Sequence, residues 1–352
     1  MSTLIAPCAG LSSRYGKGKP KYLYTAPCGN PIFFLALKSL LKHHKRIIFV
    51  VLLEHENKYN SSMIIKQCFK TFGFSEPEII VLDKVLKGPA STVNHAILKA
   101  DVKGSLTIKD CDSICNSNNY PIGQNSVSFI DASKVYIDRI NAKSSLEVDE
   151  HKKIISIKEK IIFSKYICAG AYFFKDVDEY KREFIKLKNL KSTKEIFISH
   201  IVESLIMEKI PFIAHELNEL IDLGTINDYY LYLKKFQTIF CDLDGTLFKN
   251  RGRYGNNTWV DDPYPLTDNI DAIKKLVSKG AQLIITTSRA EEFRTITEKQ
   301  LQSYNIEYFQ LIMGLNHSSR LLINDYAHSN PYPSSKAINI ARNSSLMPLL
   351  EN

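Results

Sequence analysis

Two carboxylates follow an apolar segment in the first third of this sequence and are candidates for binding a metal ion. Residues 105–109 have the composition of a buried strand, and Asp110 and Asp112 come directly after it. Side chains at the carboxyl end of a parallel strand lie at the edge of the sheet where ligands bind. Carboxylate oxygens suit Mg²⁺, which proteins usually hold with one or two carboxylates and substrate phosphates. Acidic residues also end strands without binding anything, so this pattern alone leaves the metal site open.

A turn of small residues near the start of the chain is a candidate phosphate-binding loop. It follows a short apolar strand over residues 3–6 and is followed by two cations, Arg14 and Lys21. Backbone N–H groups of small residues approach an anion closely, and the cations neutralise charge that backbone dipoles do not. An ordinary surface loop has the same composition, and this alternative stays open for the turn by itself. The small residues concerned are Ala9, Gly10, Ser12 and Ser13.

Together with Pro20-Lys21-Tyr22-Leu23, this loop resembles the signature of the sugar-phosphate nucleotidyltransferases. The family has a second glycine where this chain has Ser12, and a positive φ at that position is less favourable for serine. The resemblance implies that the Gly10 turn and Arg14 hold a nucleoside triphosphate. It also implies that Lys21 stabilises the α-phosphate.

Further motifs of the same family follow in order along the first two thirds of the chain. Asp112 matches a metal-binding carboxylate, with Asp110 beside it, and Asp222 matches the second carboxylate within Asp222-Leu223-Gly224-Thr225. The resemblance therefore implies a Mg²⁺ site made by these aspartates. The implied acceptor site consists of Glu159 for sugar hydroxyls, Lys160 for a phosphate, and Gly170 in the aromatic strand that follows over residues 166–174.

The turn over residues 86–92 concerns which nucleotide base is bound. Gly88 and Ala90 match the family's turn that lies against the base and phosphates. Asp83 stands five residues before Gly88, where many thymidylyl and uridylyl enzymes have glutamine. An acidic group there accepts a hydrogen bond from the N4 amine of cytosine, which favours CTP. A solvated aspartate at the end of a strand is the alternative.

A second chemistry begins at residue 238. The apolar segment 238–241 leads into Asp242-Leu243-Asp244-Gly245-Thr246, which closely resembles the first motif of the haloacid dehalogenase superfamily. The resemblance implies that Asp242 attacks phosphorus, that Asp244 is the acid and base, and that both hold Mg²⁺. A carboxylate nucleophile divides phosphate transfer into two easier steps. The other residues implied are Thr287 for a phosphate oxygen, Arg320 or Lys336 as the cation, and Asp325 as the last metal carboxylate.

The elements that must carry these side chains are those of an α/β protein. A strand, a turn, a helix over residues 32–41 and a strand over 46–53 open the chain, which predicts a parallel sheet with right-handed crossovers. The resemblances predict a Rossmann-like mixed-sheet nucleotidyltransferase domain over residues 1–235. They predict a small capless haloacid dehalogenase-like α/β domain over residues 236–352, with residues 249–265 as the candidate flap and 320–325 as the last strand.

Composition excludes several classes of protein. Of 352 residues, 44% are hydrophobic and 24% charged, as in an ordinary globular enzyme, and we expect no membrane span, no secretion signal and a cytoplasmic location. Seven scattered cysteines without paired CxxC motifs predict reduced thiols. The net charge of +9 comes from lysines spread along the chain, which favours solvated faces or anionic substrates over a nucleic-acid partner. The sequence leaves open whether the chain forms a homo-oligomer.

These observations predict a bifunctional enzyme. The larger domain transfers a nucleotidyl group, with CTP favoured, to a phosphorylated sugar or polyol and releases pyrophosphate. The smaller domain is a Mg²⁺-dependent phosphatase, and the pairing suggests synthesis of a precursor for a surface or capsular polysaccharide. Two alternatives remain at this stage. The smaller domain is an inactive docking module in the first, and the larger domain is a non-catalytic nucleotide sensor in the second.

Overall fold

The computed structural model describes residues 2–16, 18–190, 195–252, 259–325 and 334–346. The chain folds as two compact units, Met1–Tyr230 and Leu231–Asn352. The boundary lies inside the helix Ile226–Lys235, whereas the sequence places it at the end of that helix.

Short apolar runs form the strands of the larger unit, because such runs are buried on both faces of a sheet. The predicted bounds of the strands at 105–109 and 166–174 agree with the structure. The strands are β1 Ser2–Pro7, β2 Arg46–Leu52, β3 Glu78–Leu82, β4 Ser105–Lys109, β5 Ser113–Asn116, β6 Ser126–Asp131, β7 Ser145–Val148, β8 Ile154–Lys158, β9 Tyr166–Phe174, β10 Ile213–Glu216 and β11 Glu219–Asp222.

The helices of the larger unit follow from proline positions and apolar spacing. The first has the predicted bounds, with Pro31 as its N-cap, and Pro89 occupies the first turn of the fourth, where a missing N–H costs nothing. The helices are α1 Ile32–Leu41, α2 Leu53–Tyr59, α3 Ser61–Thr71, α4 Pro89–Lys99, α5 Val177–Asn189, α6 Ile198–Met207 and α7 Ile226–Lys235.

Within the described residues, nine of these strands form one mixed sheet. Its order is β10-β6-β9-β4-β1-β2-β3, and the hairpin β7-β8 joins it through β9. The β1 strand is parallel to both β2 and β4, while β9 is antiparallel to β4 and β6. Along β1, Ile5 lies in one hydrophobic core and Leu4 and Ala6 lie in another, so the sheet is covered on both faces. The predicted mixed-sheet α/β fold is therefore confirmed.

Two short strands, β5 and β11, form a separate antiparallel pair. Their register places Asp222 opposite Ser113, and the backbone N–H of Leu223 donates to the carbonyl of Asp112 at 2.8 Å. Residues more than a hundred positions apart in sequence are thereby brought together at the end of β4.

The smaller unit has a three-stranded parallel sheet in its described part, with order β12-β13-β14. Its core contains Leu243, Leu247, Phe248 and Ile285. The strand predicted over residues 320–325 is wrong: Leu321 and Ile323 are each 84% exposed and lie in irregular structure without a strand partner. The elements are β12 Thr238–Asp242, α8 Thr267–Ser278, β13 Gln282–Thr286, α9 Arg294–Ser303 and β14 Gln310–Ile312.

Candidate functional site

The small-residue loop after β1 is exposed and held by its own polar groups. Gly10 and Arg14 are exposed, and an added Cβ on Gly10 would meet nothing within 4 Å. Ser12 has φ 51°, the left-handed conformation expected to disfavour serine, and its Oγ accepts a hydrogen bond from the backbone N–H of Lys21 at 3.1 Å. The loop therefore presents open space and a cation to solvent, as a phosphate-binding loop requires.

Tyr15, which the sequence interpretation did not single out, ties this loop to the second carboxylate strand. Its hydroxyl donates to the carbonyl of Leu223 at 2.6 Å, and its ring packs beside Tyr24 and Tyr229. Burial, followed by the charges of nearby aspartates, raises the pKa of Tyr15 well above its ordinary value. The loop is thereby anchored next to Asp222.

Asp112 and Asp222 converge on one space. A Cβ atom built on Gly224 would lie 3.5 Å from both carboxyl oxygens of Asp222 and 3.7 Å from Oδ2 of Asp112. Only a glycine leaves this space free. Two carboxylates that approach the same point are the donor set that Mg²⁺ takes in proteins when phosphates complete its shell. These residues therefore fit the ion.

Two lysines neutralise this carboxylate pair. Lys21 forms an ion pair with Asp112, and Nζ of Lys143 lies 2.6 Å from Oδ1 of Asp222. Burial opposes ionisation of Asp112, but Lys21 and Lys143 outweigh it and hold its pKa well below the ordinary range. Lys143 was missed, because a single lysine in a polar loop gives no signal in the sequence.

Asp110, predicted beside Asp112, does not face the same point as the pair, and its role toward a metal stays a prediction. In the described part of the chain, no three His, Cys, Asp or Glu side chains gather where they could hold one ion. Instead, the Asp110 carboxylate lies against Gly170, where an added Cβ would come within 2.4 Å of Oδ2. Burial, and then the charge of Asp112, raise the pKa of Asp110 to about 6. Gly170, predicted to be part of the acceptor site, thus makes room for this buried carboxylate.

The predicted acceptor residues lie on a neighbouring loop. Glu159 accepts hydrogen bonds from the hydroxyls of Ser144 and Ser199, so its carboxylate already receives hydroxyl donors. The Lys160 ammonium lies 4.0 Å from the centroid of the Phe197 ring. Ser144 directly follows Lys143, so one loop contacts both Asp222 and Glu159.

In the turn predicted to lie against the base, packing against Ile196 accounts for the glycine at position 88. Gly88 has φ +90°, and an added Cβ would lie 2.5 Å from the carbonyl oxygen of Ile196. The N–H of Ala90, which is buried, donates to the same carbonyl at 3.1 Å. Asp83 is exposed just beyond the end of β3. Their roles toward a base stay predictions.

Cys8 and Cys111 are joined as a disulfide between the ends of β1 and β4, with their Cα atoms 6.3 Å apart. The expectation of seven reduced thiols is therefore wrong for these two. Neighbouring strands bring together cysteines 103 positions apart, which spacing in the sequence does not reveal. The bridge lies directly beside Ala9 and Asp112.

In the smaller unit, the parallel pairing of β12 with β13 places Asp242 opposite Thr286. Thr287 follows, and its hydroxyl donates to Oδ2 of Asp244 at 3.3 Å. Partial burial and the charge of Asp244 raise the pKa of Asp242, while Arg320 and Arg342 oppose them. The two predicted motifs of this unit therefore meet at one edge of the sheet.

Arg289 is a further residue that the sequence interpretation missed. It is 3% exposed, and its Nε and Nη2 donate to both oxygens of Asp244 at 2.9 and 2.8 Å. Its Nη1 donates to Thr297 and Gln300. This two-pronged contact occupies one acceptor site on each oxygen of Asp244, so it competes with a substrate for that carboxylate.

Comparison with known proteins agrees with this division. Residues 239–316 match the model of the haloacid dehalogenase-like hydrolases. The smaller unit is haloacid dehalogenase-like. The larger unit has the fold of solved nucleotidyltransferases, with sequence identities of 14–21%. Identities this low support a shared fold and nothing beyond it. No curated protein matches the chain significantly.

Three solved structures illustrate the match of the larger unit. The nucleoside-diphosphate-sugar pyrophosphorylase from Vibrio cholerae RC9 is 21% identical with a TM-score of 0.57, covering 65% of this chain and 99% of its own. The inositol-1-phosphate CTP transferase from T. maritima is 18% identical, with a TM-score of 0.51 and coverages of 66% and 96%. A UDP-glucose pyrophosphorylase complexed with UDP-glucose is 14% identical, with a TM-score of 0.52 and coverages of 66% and 97%.

The last predicted motif of the haloacid dehalogenase-like unit is not assembled. Asp325 and Lys336 are exposed, and no described group of three acidic side chains unites Asp325 with Asp242 and Asp244. Arg320 donates to the carbonyls of the preceding turn and to Ser288 Oγ. Because the expected strand is absent from the described sheet, nothing aligns Asp325 with the edge, and its role as a metal ligand stays a prediction.

The two ends of the candidate flap, residues 249–265, are joined by a backbone hydrogen bond. The N–H of Lys249 donates to the carbonyl of Tyr264 at 2.8 Å, and residues 253–258 lie outside the described part. Among the described helices of the whole chain, none is long and apolar enough to cross a bilayer.

Proposed function

We propose that the nucleotidyltransferase-like unit transfers a nucleotidyl group from a nucleoside triphosphate to a phosphorylated sugar or polyol and releases pyrophosphate. One observation carries the proposal: Asp112 and Asp222 converge on a space that only a glycine at position 224 leaves free. This space lies beside Lys21 and next to the exposed small-residue loop. Metal-type carboxylates, a phosphate loop and a lysine in one place suit chemistry at a triphosphate.

In the proposed reaction, an oxygen of the acceptor's phosphate attacks the α-phosphorus in line. The bond between that phosphorus and the bridging oxygen of the β-phosphate breaks, and pyrophosphate leaves. Positioning and charge neutralisation supply most of the rate in such transfers. The Gly10 turn and Arg14 hold the triphosphate, and Lys21 stabilises charge on the α-phosphate. Mg²⁺ held by Asp112 and Asp222 would supply further neutralisation of phosphate charge when bound.

The acceptor is proposed to carry hydroxyl groups as well as phosphate. Glu159 already accepts hydrogen bonds from two serine hydroxyls, and a sugar or polyol hydroxyl is the same kind of donor. Lys160 is exposed on the same loop and is proposed to bind the acceptor's phosphate. CTP remains the favoured nucleotide on the strength of Asp83, and a relative of similar fold is described as a CTP transferase.

The activated product would belong to the donors from which surface polysaccharides are built. We therefore propose a role in making such a precursor, in the cytoplasm, where nucleoside triphosphates are available. The oligomeric state stays open.

The test is pyrophosphate release from each common nucleoside triphosphate with a panel of sugar and polyol phosphates. Asp112→Asn and Asp222→Asn should each lower turnover roughly a hundredfold or more, as loss of a preorganised charge-stabilising group does. Asp101→Asn is the matched control, because the Asp101 side chain is 79% exposed and forms its ion pair with Lys103 on the surface. Absence of pyrophosphate with every pair would exclude the transferase and leave the nucleotide sensor.

A phosphatase activity of the haloacid dehalogenase-like unit is a second candidate, because Asp242, Asp244 and Thr287 meet at one sheet edge. The Arg289 contact with Asp244 favours the alternative of an inactive docking module. Hydrolysis of small phosphate esters by the full chain, lost in Asp242→Asn, would support the phosphatase. Equal rates for both chains would support the docking module.

A further inference from the structure

We propose that Lys143 is a positioning residue that keeps a divalent cation off the Asp112–Asp222 pair until a triphosphate is bound. The inference rests on the proposed nucleotidyltransferase function and goes beyond it. It concerns a side chain that belongs to none of the sequence motifs. Lys143 acts through Asp222, by occupying one of the two carboxylate oxygens that a metal ion could take.

The contact is close and sheltered from water. Nζ of Lys143 lies 2.6 Å from Oδ1 of Asp222, and the side chains are 25% and 2% exposed. Asp222 has no other described hydrogen-bond donor on its carboxylate, so this ammonium is the described partner that offsets part of the cost of its burial. A cation that takes Oδ1 must first displace the ammonium.

The backbone around Lys143 is held, so the side chain is the part that yields. The N–H of Lys143 donates to the carbonyl of Ile140 at 2.9 Å. The Ser145 hydroxyl donates to the carbonyl of Ile161 at 2.8 Å, and Ser145 begins β7. Release of Asp222 therefore requires only rotation of a flexible lysine side chain.

Each carboxylate of the pair has an ammonium partner without any metal: Lys21 pairs with Asp112, and Lys143 pairs with Asp222. The buried Lys109 donates instead to the backbone carbonyls of Asp110 and Ser113 and to the Ser113 hydroxyl. Asp228, a further buried carboxylate near Asp222, accepts hydrogen bonds from the N–H and the hydroxyl of Thr225. A free divalent cation would therefore have to break an ion pair to take the oxygen that Lys143 holds.

A triphosphate reverses this preference. It brings several negative charges, so an ammonium released from Asp222 gains a phosphate as its new partner. The metal and the triphosphate then favour each other's binding, because each supplies the charge that the other needs. A cation alone would bind weakly, which limits unproductive loading of the site.

The test compares binding of Mn²⁺ alone with binding of the Mn²⁺–tripolyphosphate complex, each measured by equilibrium dialysis on the full chain. All proteins carry Asp242→Asn, so the second unit's first carboxylate does not contribute. Lys143→Met should tighten binding of Mn²⁺ alone roughly tenfold or more, the equivalent of one hydrogen bond to a charged group. The same variant should weaken binding of the complex several-fold. A merely structural role would not move the two affinities in opposite directions.

Three further variants make the result decisive. Lys143→Arg keeps the charge and should restore weak binding of Mn²⁺ alone, and Lys143→Gln repeats the test if the methionine variant unfolds. Lys134→Met is the control, because Lys134 is 58% exposed and pairs with Glu216 on the surface. Unchanged affinity for Mn²⁺ alone, or a parallel loss of both affinities, would overturn the proposal. Neither measurement needs turnover, so a chain that releases no pyrophosphate would refute the proposed function without deciding this inference.

Discussion

Replacing Gly224 by alanine tests whether the space between Asp112 and Asp222 is needed for a metal ion. The added Cβ would lie 3.5 Å from both carboxyl oxygens of Asp222 and 3.7 Å from Oδ2 of Asp112. These are ordinary van der Waals distances, so no neighbour has to move. Gly224 is also not among the described glycines with positive φ, so an added Cβ does not meet the strain of the left-handed region.

The expected effects on stability and on function therefore differ. Gly→Ala at a compatible position stabilises by about 0.4–1 kcal/mol, because the unfolded chain loses conformational freedom. We expect the free energy of unfolding of Gly224→Ala to stay within about 1 kcal/mol of the parent chain. The methyl group, however, takes space that the oxygen ligands of an ion would fill. Displacing a reacting group by about 1 Å costs on the order of a hundredfold in rate, and we expect a loss of that size.

Three assays decide this prediction: denaturant unfolding, Mn²⁺ binding and pyrophosphate release. Gly10→Ala is the control for metal binding, because its added methyl meets nothing within 4 Å and lies in the nucleotide loop. It should leave the affinity for Mn²⁺ unchanged. If Gly224→Ala keeps its turnover within about threefold of the parent chain, the space that Gly224 leaves free is not part of the active site.

Three other predictions test separate parts of the structure. Gly170→Ala, at φ +72° and with its Cβ 2.4 Å from a carboxyl oxygen of Asp110, should lower the free energy of unfolding by about 2 kcal/mol or more in denaturant titration. Thiol titration of the unfolded chain should count five free thiols before reduction and seven after it, whereas seven at the start would exclude the Cys8–Cys111 bridge. Arg289→Lys should destabilise the smaller unit by about 2–4 kcal/mol in thermal unfolding, because lysine lacks the two-pronged contact with the carboxylate, and an unchanged transition would contradict that view.

The sheet of the larger unit was largely predictable because its strands are continuous runs of apolar residues in the sequence. Burial on both faces forces such runs, and β4 and β9 therefore have the predicted bounds. The prediction over residues 320–325 used the same rule and was wrong. An apolar run becomes a strand only with a partner, and Leu321, Leu322 and Ile323 have none in the described sheet.

The carboxylates of the candidate sites were predictable from the sequence, but the cations that contact them were not. Asp242 is the last residue of an apolar strand and Asp112 follows the end of another, so their position along the chain predicts a place at a sheet edge. Lys143 and Arg289 lie in irregular segments, where no periodicity distinguishes one cation from the many on the surface. Their importance comes from the carboxylates that they reach across space.

The meeting of Asp112 with Asp222 shows where sequence reasoning ends. Motif order indicated that both belong to one site, but only the pairing of β5 with β11 explains how residues so distant in sequence share it. Those strands have four residues each, too short for their pairing to be read from composition. Tyr15 and the Cys8–Cys111 bridge then hold the loop and the strand ends together. The carboxylate pair therefore depends on long-range contacts, so damage to the β5–β11 pairing should abolish metal binding without altering a single ligand.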